Sequence, residues 1–364
     1  MDSPYAKEFQ TAINVIQQAA KLSQSVISAE DKGVIEKDDL SPVTVADFAI
    51  QALLTASIHH VFPDDKFVGE ESAADLRESP ALLDRVWALL QRLKQAEAQS
   101  LCKLPSSPEQ MCEMIDWCGL GKPGGVESGR VWIFDPIDGT QTFVKGQAYA
   151  INVALLEGGK QLLSIVGCPT IPVDAKVPIT DDAKDPTGRG LVVFAAKGYG
   201  THVRPLADSA GQVQTRTIEP HAETATLADL RSVTCFNTLV SGIDDAHQTI
   251  VERLGVAFPG CDLLGWVPRW VTLALGAANM TVWVYRRRDR FAKIWDHAGA
   301  MLLFEEVGGK ITDVDGKDID LTVGRKLTSN YGFIAAPKNL HATVLQTVHD
   351  VLKEQGKDNL LAST

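Results

Sequence analysis

The segment "WIFDPIDGTQTF", residues 132–143, decides how this chain is read. An apolar run, Val131 to Phe134, ends at Asp135, and Asp138, Gly139 and Thr140 follow directly. The plain explanation is a turn, because Asp and Gly are common where a strand stops. Two features favour chemistry instead. Pro136 fixes the backbone between the acids, and Ile137 carries a carbonyl between them. Two carboxylates and a backbone carbonyl are hard oxygen ligands of the kind Mg²⁺ takes. Gly139 and Thr140 then offer backbone N–H groups and a hydroxyl to a phosphate oxygen, provided a helix starts there.

Working outward, Phe9, Ile13, Ile16, Ala20 and Leu22 follow a helical spacing uninterrupted by Gly or Pro, which predicts a helix over residues 4–29. Thr44-Val45-Ala46-Asp47 has the form of a capping box with Asp in place of Glu, opening a second helix to about His60. Phe67 and Val68 give a short strand before Glu70 and Glu71, and residues 73–128 read as a mostly helical insertion. "YAINVALLEGGKQLLSIVGCP" reads as a hairpin turning on Gly158-Gly159. The Pro- and Asp-rich stretch that follows suggests a boundary near Pro169. It would divide an N-terminal α+β domain, 1–168, from a C-terminal α/β domain, 169–364. In the second half, strands (191–196, 231–236, 280–285, 333–336) alternate with helices (244–254, 268–277, 296–307, 338–354). That alternation predicts an α/β layered arrangement.

Composition excludes several classes. The 364 residues carry a net charge of −11, which argues against binding nucleic acid polymers or an anionic membrane. A small anionic substrate stays possible, since acids that hold divalent cations reverse the local field. No apolar run reaches the length that spans a bilayer. The polar opening "MDSPYAKEFQ" does not read as a signal peptide, and six cysteines without a framework suggest reduced thiols and a cytoplasmic protein. No His/Cys spacing suggests zinc.

Four further acids each have a bland reading. Glu70 and Glu71 suit a helix N-terminus, Asp47 a capping box, and Asp296 the N-cap of the next helix. Their combination is more specific. "GEES" (69–72), "DPIDGT" (135–140) and "WDHAG" (295–299), in that order, resemble the inositol monophosphatase superfamily of metal-dependent, lithium-sensitive phosphatases. "SPVTVAD" (41–47) matches its upstream acid motif, and the likeness runs from Lys37 to "EEVGGKITD" (305–313). Within the superfamily, "FPDDKFVGEES", the long insertion and "KIWDHA" resemble the 3′(2′),5′-bisphosphate nucleotidase branch.

The resemblance implies a layered αβαβα sandwich and hydrolysis of the 3′-phosphate of 3′-phosphoadenosine 5′-phosphate to AMP. It implies two or three Mg²⁺ ions. Glu70, Asp135 and the Ile137 carbonyl would hold one, and Asp135, Asp138 and Asp296 another. Asp47 with Thr140 would orient the attacking water, Glu71 would assist, and no Ser, Cys or His nucleophile is needed. His297 is expected to support its helix rather than act as a base. The long insertion would cover a surface that smaller relatives use for dimers, so a monomer is expected.

The second half departs from the branch. Its Gly-His-Ser segment aligns with Ser241, Gly242 and Ile243, without a histidine. Its substrate-contacting Ser and Lys align with "WVPRW", where Arg269 keeps a positive charge for phosphate and Trp266 replaces a hydroxyl. A further Arg aligns with Trp283. Either the alignment slips by a few residues in this divergent stretch, or specificity is altered, with Trp266 or Trp283 stacking on a base or sugar face or filling the nucleotide pocket. "YRRRDR" (285–290) reads as a solvated turn. The alternatives are an inositol (poly)phosphate 1-phosphatase or other metabolite phosphatase, and a non-catalytic relative, which the complete acid set weakens.

Overall fold

In the computed structural model, the apolar run of the deciding segment is the strand Arg130–Asp138 in a seven-stranded sheet. The structure describes residues 3–28, 34–36, 42–96, 102–124, 129–207, 214–236 and 242–362. Lys37, Ser41 and Ser241, which belong to the aligned motifs, lie outside these. The sheet runs Lys66–Gly69, Arg130–Asp138, Ala150–Glu157, Lys160–Cys168, Leu191–Ala196, Thr201–Pro205 and Arg216–Thr217. Only the first pair is parallel.

The central strands are buried on both faces, which is why they read as continuous apolar runs rather than as alternations. Trp132, Phe134, Ile151, Val153 and Leu155 pack beneath the helices Ala6–Ile27 and Val45–Val61. Val131, Ile133, Ala150, Ala154 and Leu156 face the helices Trp266–Ala274 and Ala300–Glu305. Each fully buried large side chain contributes roughly 1.5–3 kcal/mol. The hairpin at Gly158-Gly159 forms as expected, both glycines taking positive φ (56° and 78°).

Below those two helices lies a second sheet, Thr281–Trp283, Phe333–Pro337 and Gly309–Thr312. A bridge from Ser232 to Met280 joins it to the parallel pair Val233–Thr234 and Cys261–Asp262. The helices His341–Glu354 and Asp244–Arg253 close its outer side. The order helix, sheet, helix, sheet, helix is the expected layered αβαβα sandwich. In the insertion, Pro80–Ala96 and Pro108–Leu120 pack on Val45–Val61, and the latter covers the edge strand Lys66–Gly69. Among the described residues, no helix is long and apolar enough to cross a membrane.

Three expectations change. The boundary expected at Pro169 falls inside one sheet, because Lys160–Cys168 and Leu191–Ala196 pair along their length. Asp296 does not cap the following helix. It ends a 3₁₀ turn, Ile294–Asp296, and the helix starts later, at Ala300 with Gly299 as N-cap. The helix expected from residue 268 starts at Trp266, with Pro268 in its first turn, where a missing N–H costs little.

Candidate metal centre

The strand Arg130–Asp138 answers the question of its own two acids. In a regular strand, residues three apart point to opposite faces. Here Asp135 pairs with Asn152 but Asp138 pairs with Ala150, so one extra residue bulges out between them. The bulge turns both carboxylates to the same face, and it tolerates Pro136, which has no N–H for the ladder. Gly139 follows at φ 90°, a conformation that favours glycine, and the short helix Thr140–Val144 begins at once.

Asp296 reaches the same point from the far side. The Asn152 amide, beside Asp135 in the ladder, donates through Nδ2 to the Trp295 carbonyl at 2.6 Å and pins the Ile294–Asp296 turn to the sheet. Gly299 lies so close that an added Cβ would sit 2.8 Å from Asn152 Oδ1. Carboxylate oxygens of Asp135, Asp138 and Asp296 consequently lie within 4.8 Å of one another. Asp138 Oδ2 also accepts from the Val267 amide at 2.7 Å, capping the helix Trp266–Ala274 from a remote strand. A Cβ at Gly265 would fall 2.6 Å from that oxygen, so glycine is needed for the approach.

The electrostatics show what the cluster requires. Burial pushes the Asp135 carboxyl well above the usual range, and the charges of Glu70, Asp138, Asp296 and Asp47 push it further. Asp296 rises for the same reasons, burial first and then Asp138 and Glu70. Burial lifts Asp138 to about 7, against the pull of the Val267 amide and Arg269. Two unit charges 4.8 Å apart repel by roughly 3.5 kcal/mol at an effective dielectric of 20. Three ionised pairs would then oppose folding by an amount comparable with a typical domain's whole stability. A hard divalent cation removes that repulsion, and the donor set, all oxygen, fits one.

The other predicted residues are each held by contacts of their own. Glu70 stands outside the 4.8 Å group, although its charge acts on all three acids. Glu71 is buried, and its backbone is held by Gln51, which accepts from the Glu71 amide (2.9 Å) and donates to its carbonyl (2.8 Å). Asp47 is buried in the expected capping box, where Oδ2 accepts from the Thr44 amide (2.8 Å) and hydroxyl (2.6 Å). The Thr140 hydroxyl donates to the Ile137 carbonyl at 3.1 Å, which leaves that carbonyl a second lone pair. Gln51, Asn152 and Arg325 were missed, because none sits in an acid motif and each acts on a segment distant in sequence.

Arg269 and the tryptophans are placed differently from the expectation of open substrate contacts. Arg269 is fully buried, with Nε and Nη2 donating to the Leu263 and Leu264 carbonyls, each at 2.8 Å. Its guanidinium lies over both the Trp266 ring (4.3 Å) and the Trp283 ring (4.7 Å), which meet edge to face. Trp283 is enclosed and cannot stack on a ligand without rearrangement, whereas Trp266 is half-buried. His297 supports the core: its Nδ1 accepts from the Trp270 indole at 3.1 Å, its ring stacks on Phe333, and burial holds it neutral. The "YRRRDR" stretch is the expected solvated turn, exposed at Arg286, Arg287, Asp289 and Arg290, and two of its arginines also have partners. Arg288 pairs with Asp315 at 2.7 Å, and Arg286 donates to the Gly242 carbonyl at 2.6 Å.

A layered αβαβα sandwich with a largely buried carboxylate triad at a strand bulge defines the class: a metal-dependent phosphatase. The chain belongs to the inositol monophosphatase family, whose model matches residues 4–353. It is 34% identical over 360 residues to the 3′(2′),5′-bisphosphate nucleotidase of Emericella nidulans, covering 96% of this chain and 99% of that one. The 3′(2′),5′-bisphosphate nucleotidase of Schizosaccharomyces pombe is 33% identical over 93% of this chain and 94% of its own. Among solved structures, the Thermotoga maritima IMPase shares the fold with a TM-score of 0.58 at 18% identity, covering 96% of this chain and 99% of its own.

Proposed function

We propose that this chain hydrolyses the 3′-phosphate of 3′-phosphoadenosine 5′-phosphate to AMP, using Mg²⁺ held at the acid cluster. The observation that carries the chemistry is the convergence of Asp135 and Asp138, from one strand, with Asp296, from a distant 3₁₀ turn, within 4.8 Å of one another. The substrate is favoured by similarity, over nearly the whole chain, to relatives named as bisphosphate nucleotidases. In this reading those three acids, Glu70 and the Ile137 carbonyl hold two or three ions. Bound there, Mg²⁺ would supply positive charge against the phosphate and lower the pKa of the attacking water, so that it could give up its proton. Asp47, with Thr140, orients that water and accepts its proton, and Glu71 supports the network. An ionised carboxylate suffices for that step, with no raised pKa.

The backbone of Gly139 and Thr140 faces the phosphate in this account. Trp266 offers its half-exposed ring to the sugar or base, while Arg269 acts by its charge and by fixing the Leu263–Trp266 loop. We further infer a monomer acting in the cytoplasm on a small phosphorylated metabolite.

Phosphate release with Mg²⁺ tests the reading. The panel is 3′-phosphoadenosine 5′-phosphate, inositol 1-phosphate, inositol 1,4-bisphosphate and sugar phosphates. The nucleotide is expected to give the highest kcat/KM, and lithium is expected to inhibit. Preference for an inositol phosphate would move the substrate assignment, and release from none would refute catalysis.

A further inference from the structure

Arg325 belongs to none of the acid motifs, yet it touches two of the segments that carry them. Its Nη1 donates to the carbonyls of Gly69 (2.6 Å) and Cys118 (2.9 Å), and its Nη2 to the carbonyl of Glu70 (3.1 Å). The Gly69 carbonyl is the last of the strand Lys66–Gly69. The Cys118 carbonyl is in the last turn of the helix Pro108–Leu120, where carbonyls lack helical partners. The guanidinium also lies 4.7 Å from the centre of the Trp295 ring, next to Asp296. Its own carbonyl accepts from the Ile294 amide at 3.0 Å, the first residue of the turn that ends at Asp296. One residue thus holds the Glu70 segment by its side chain and the Asp296 turn by its backbone and its stacked face.

We propose that Arg325 is a positioning residue for the metal centre, fixing the Gly69–Glu71 segment against the Ile294–Asp296 turn so that their carboxylates meet around one cation. The proposal rests on the reading of the acid cluster as a divalent cation site. Arginine suits the task because its rigid planar fork reaches several carbonyls at once while its face stacks on an indole. Lysine keeps the charge but offers one compact, mobile donor group, so it restores only part of this geometry. Residues that orient metal ligands without touching the metal change metal affinity by about 10- to 100-fold when replaced.

Calorimetric titration of Mn²⁺ into the full chain, without substrate, separates positioning from simple stabilisation. Arg325→Met is expected to weaken Mn²⁺ binding by about 10- to 100-fold, and Arg325→Lys by less. Arg288→Met is the comparison, since Arg288 likewise combines carbonyl and ring contacts (Leu360, Tyr331), with an ion pair to Asp315 besides. It is expected to lower the melting temperature but to leave Mn²⁺ affinity within about twofold of the parent. Parent-like affinity in Arg325→Met, or equal weakening in Arg288→Met, would overturn the proposal. If Arg325→Met does not fold, Arg325→Lys carries the same comparison. Asp138→Asn, measured alongside, distinguishes the two levels. Parent-like Mn²⁺ binding in Asp138→Asn would remove the cation site itself, and the Arg325 role with it. Weakening in Asp138→Asn with none in the Arg325 variants would remove the Arg325 role alone.

Discussion

Asp138→Asn is expected to cut phosphate release by about a thousandfold, roughly 4 kcal/mol of transition-state stabilisation, while the protein stays folded. The loss follows from removing one charged oxygen from the triad. The fold survives because the amide oxygen can take the place of Oδ2 and still accept from the Val267 amide, keeping the helix Trp266–Ala274 capped. Without metal, the variant is expected to melt no lower than the parent. The sign follows from the raised carboxyl, at about 7 in the folded chain. A carboxyl raised on folding holds a proton that the unfolded chain has already lost, so stability falls as pH rises from the unfolded value through about 7. An amide has no such penalty, and the variant's advantage in melting temperature should grow across that window. Melting curves from pH 4 to pH 8, with and without Mg²⁺, check both parts. Parent-like turnover would refute the metal assignment of Asp138.

Asp47→Asn is expected to reduce kcat by about 10²- to 10⁴-fold with a much smaller change in KM, the signature of losing a general base. Asp47 also serves as the acid of the capping box at the start of Val45–Val61, accepting from the Thr44 amide and hydroxyl. An asparagine oxygen can accept there too, so the stability cost should stay near or below about 1 kcal/mol. Steady-state kinetics and a denaturant melt separate the two roles. A large loss of stability with kcat unchanged would leave Asp47 a cap and nothing more.

Much of the fold was legible because its signals are local. The helices Ala6–Ile27 and Val45–Val61, the hairpin at Gly158-Gly159 and the strand Leu191–Ala196 follow from spacing, capping and turn chemistry within a few residues. The acids themselves could be picked out by their motifs. What the motifs do not contain is the bulge that turns Asp135 and Asp138 to one face, since that depends on register with Asn152 and Ala150. The cap that Asp138 gives to the helix Trp266–Ala274 is also remote, which is why the helix start was expected two residues late. Arg269 misled for a related reason. Its charge suggested phosphate, but its carbonyl partners, Leu263 and Leu264, and its two indole neighbours enclose it. The Pro- and Asp-rich stretch after Cys168 resembled a linker, whereas it connects two neighbouring strands of one sheet.

The most direct test is anomalous diffraction from crystals grown with Mn²⁺ in place of Mg²⁺. The account predicts at least one strong peak within about 2.3 Å of carboxylate oxygens from Asp135, Asp138 and Asp296 together, with Glu70 adjoining the same cluster. Active, Mn²⁺-saturated enzyme with no peak at that triad, or with its metal bound elsewhere, would contradict it.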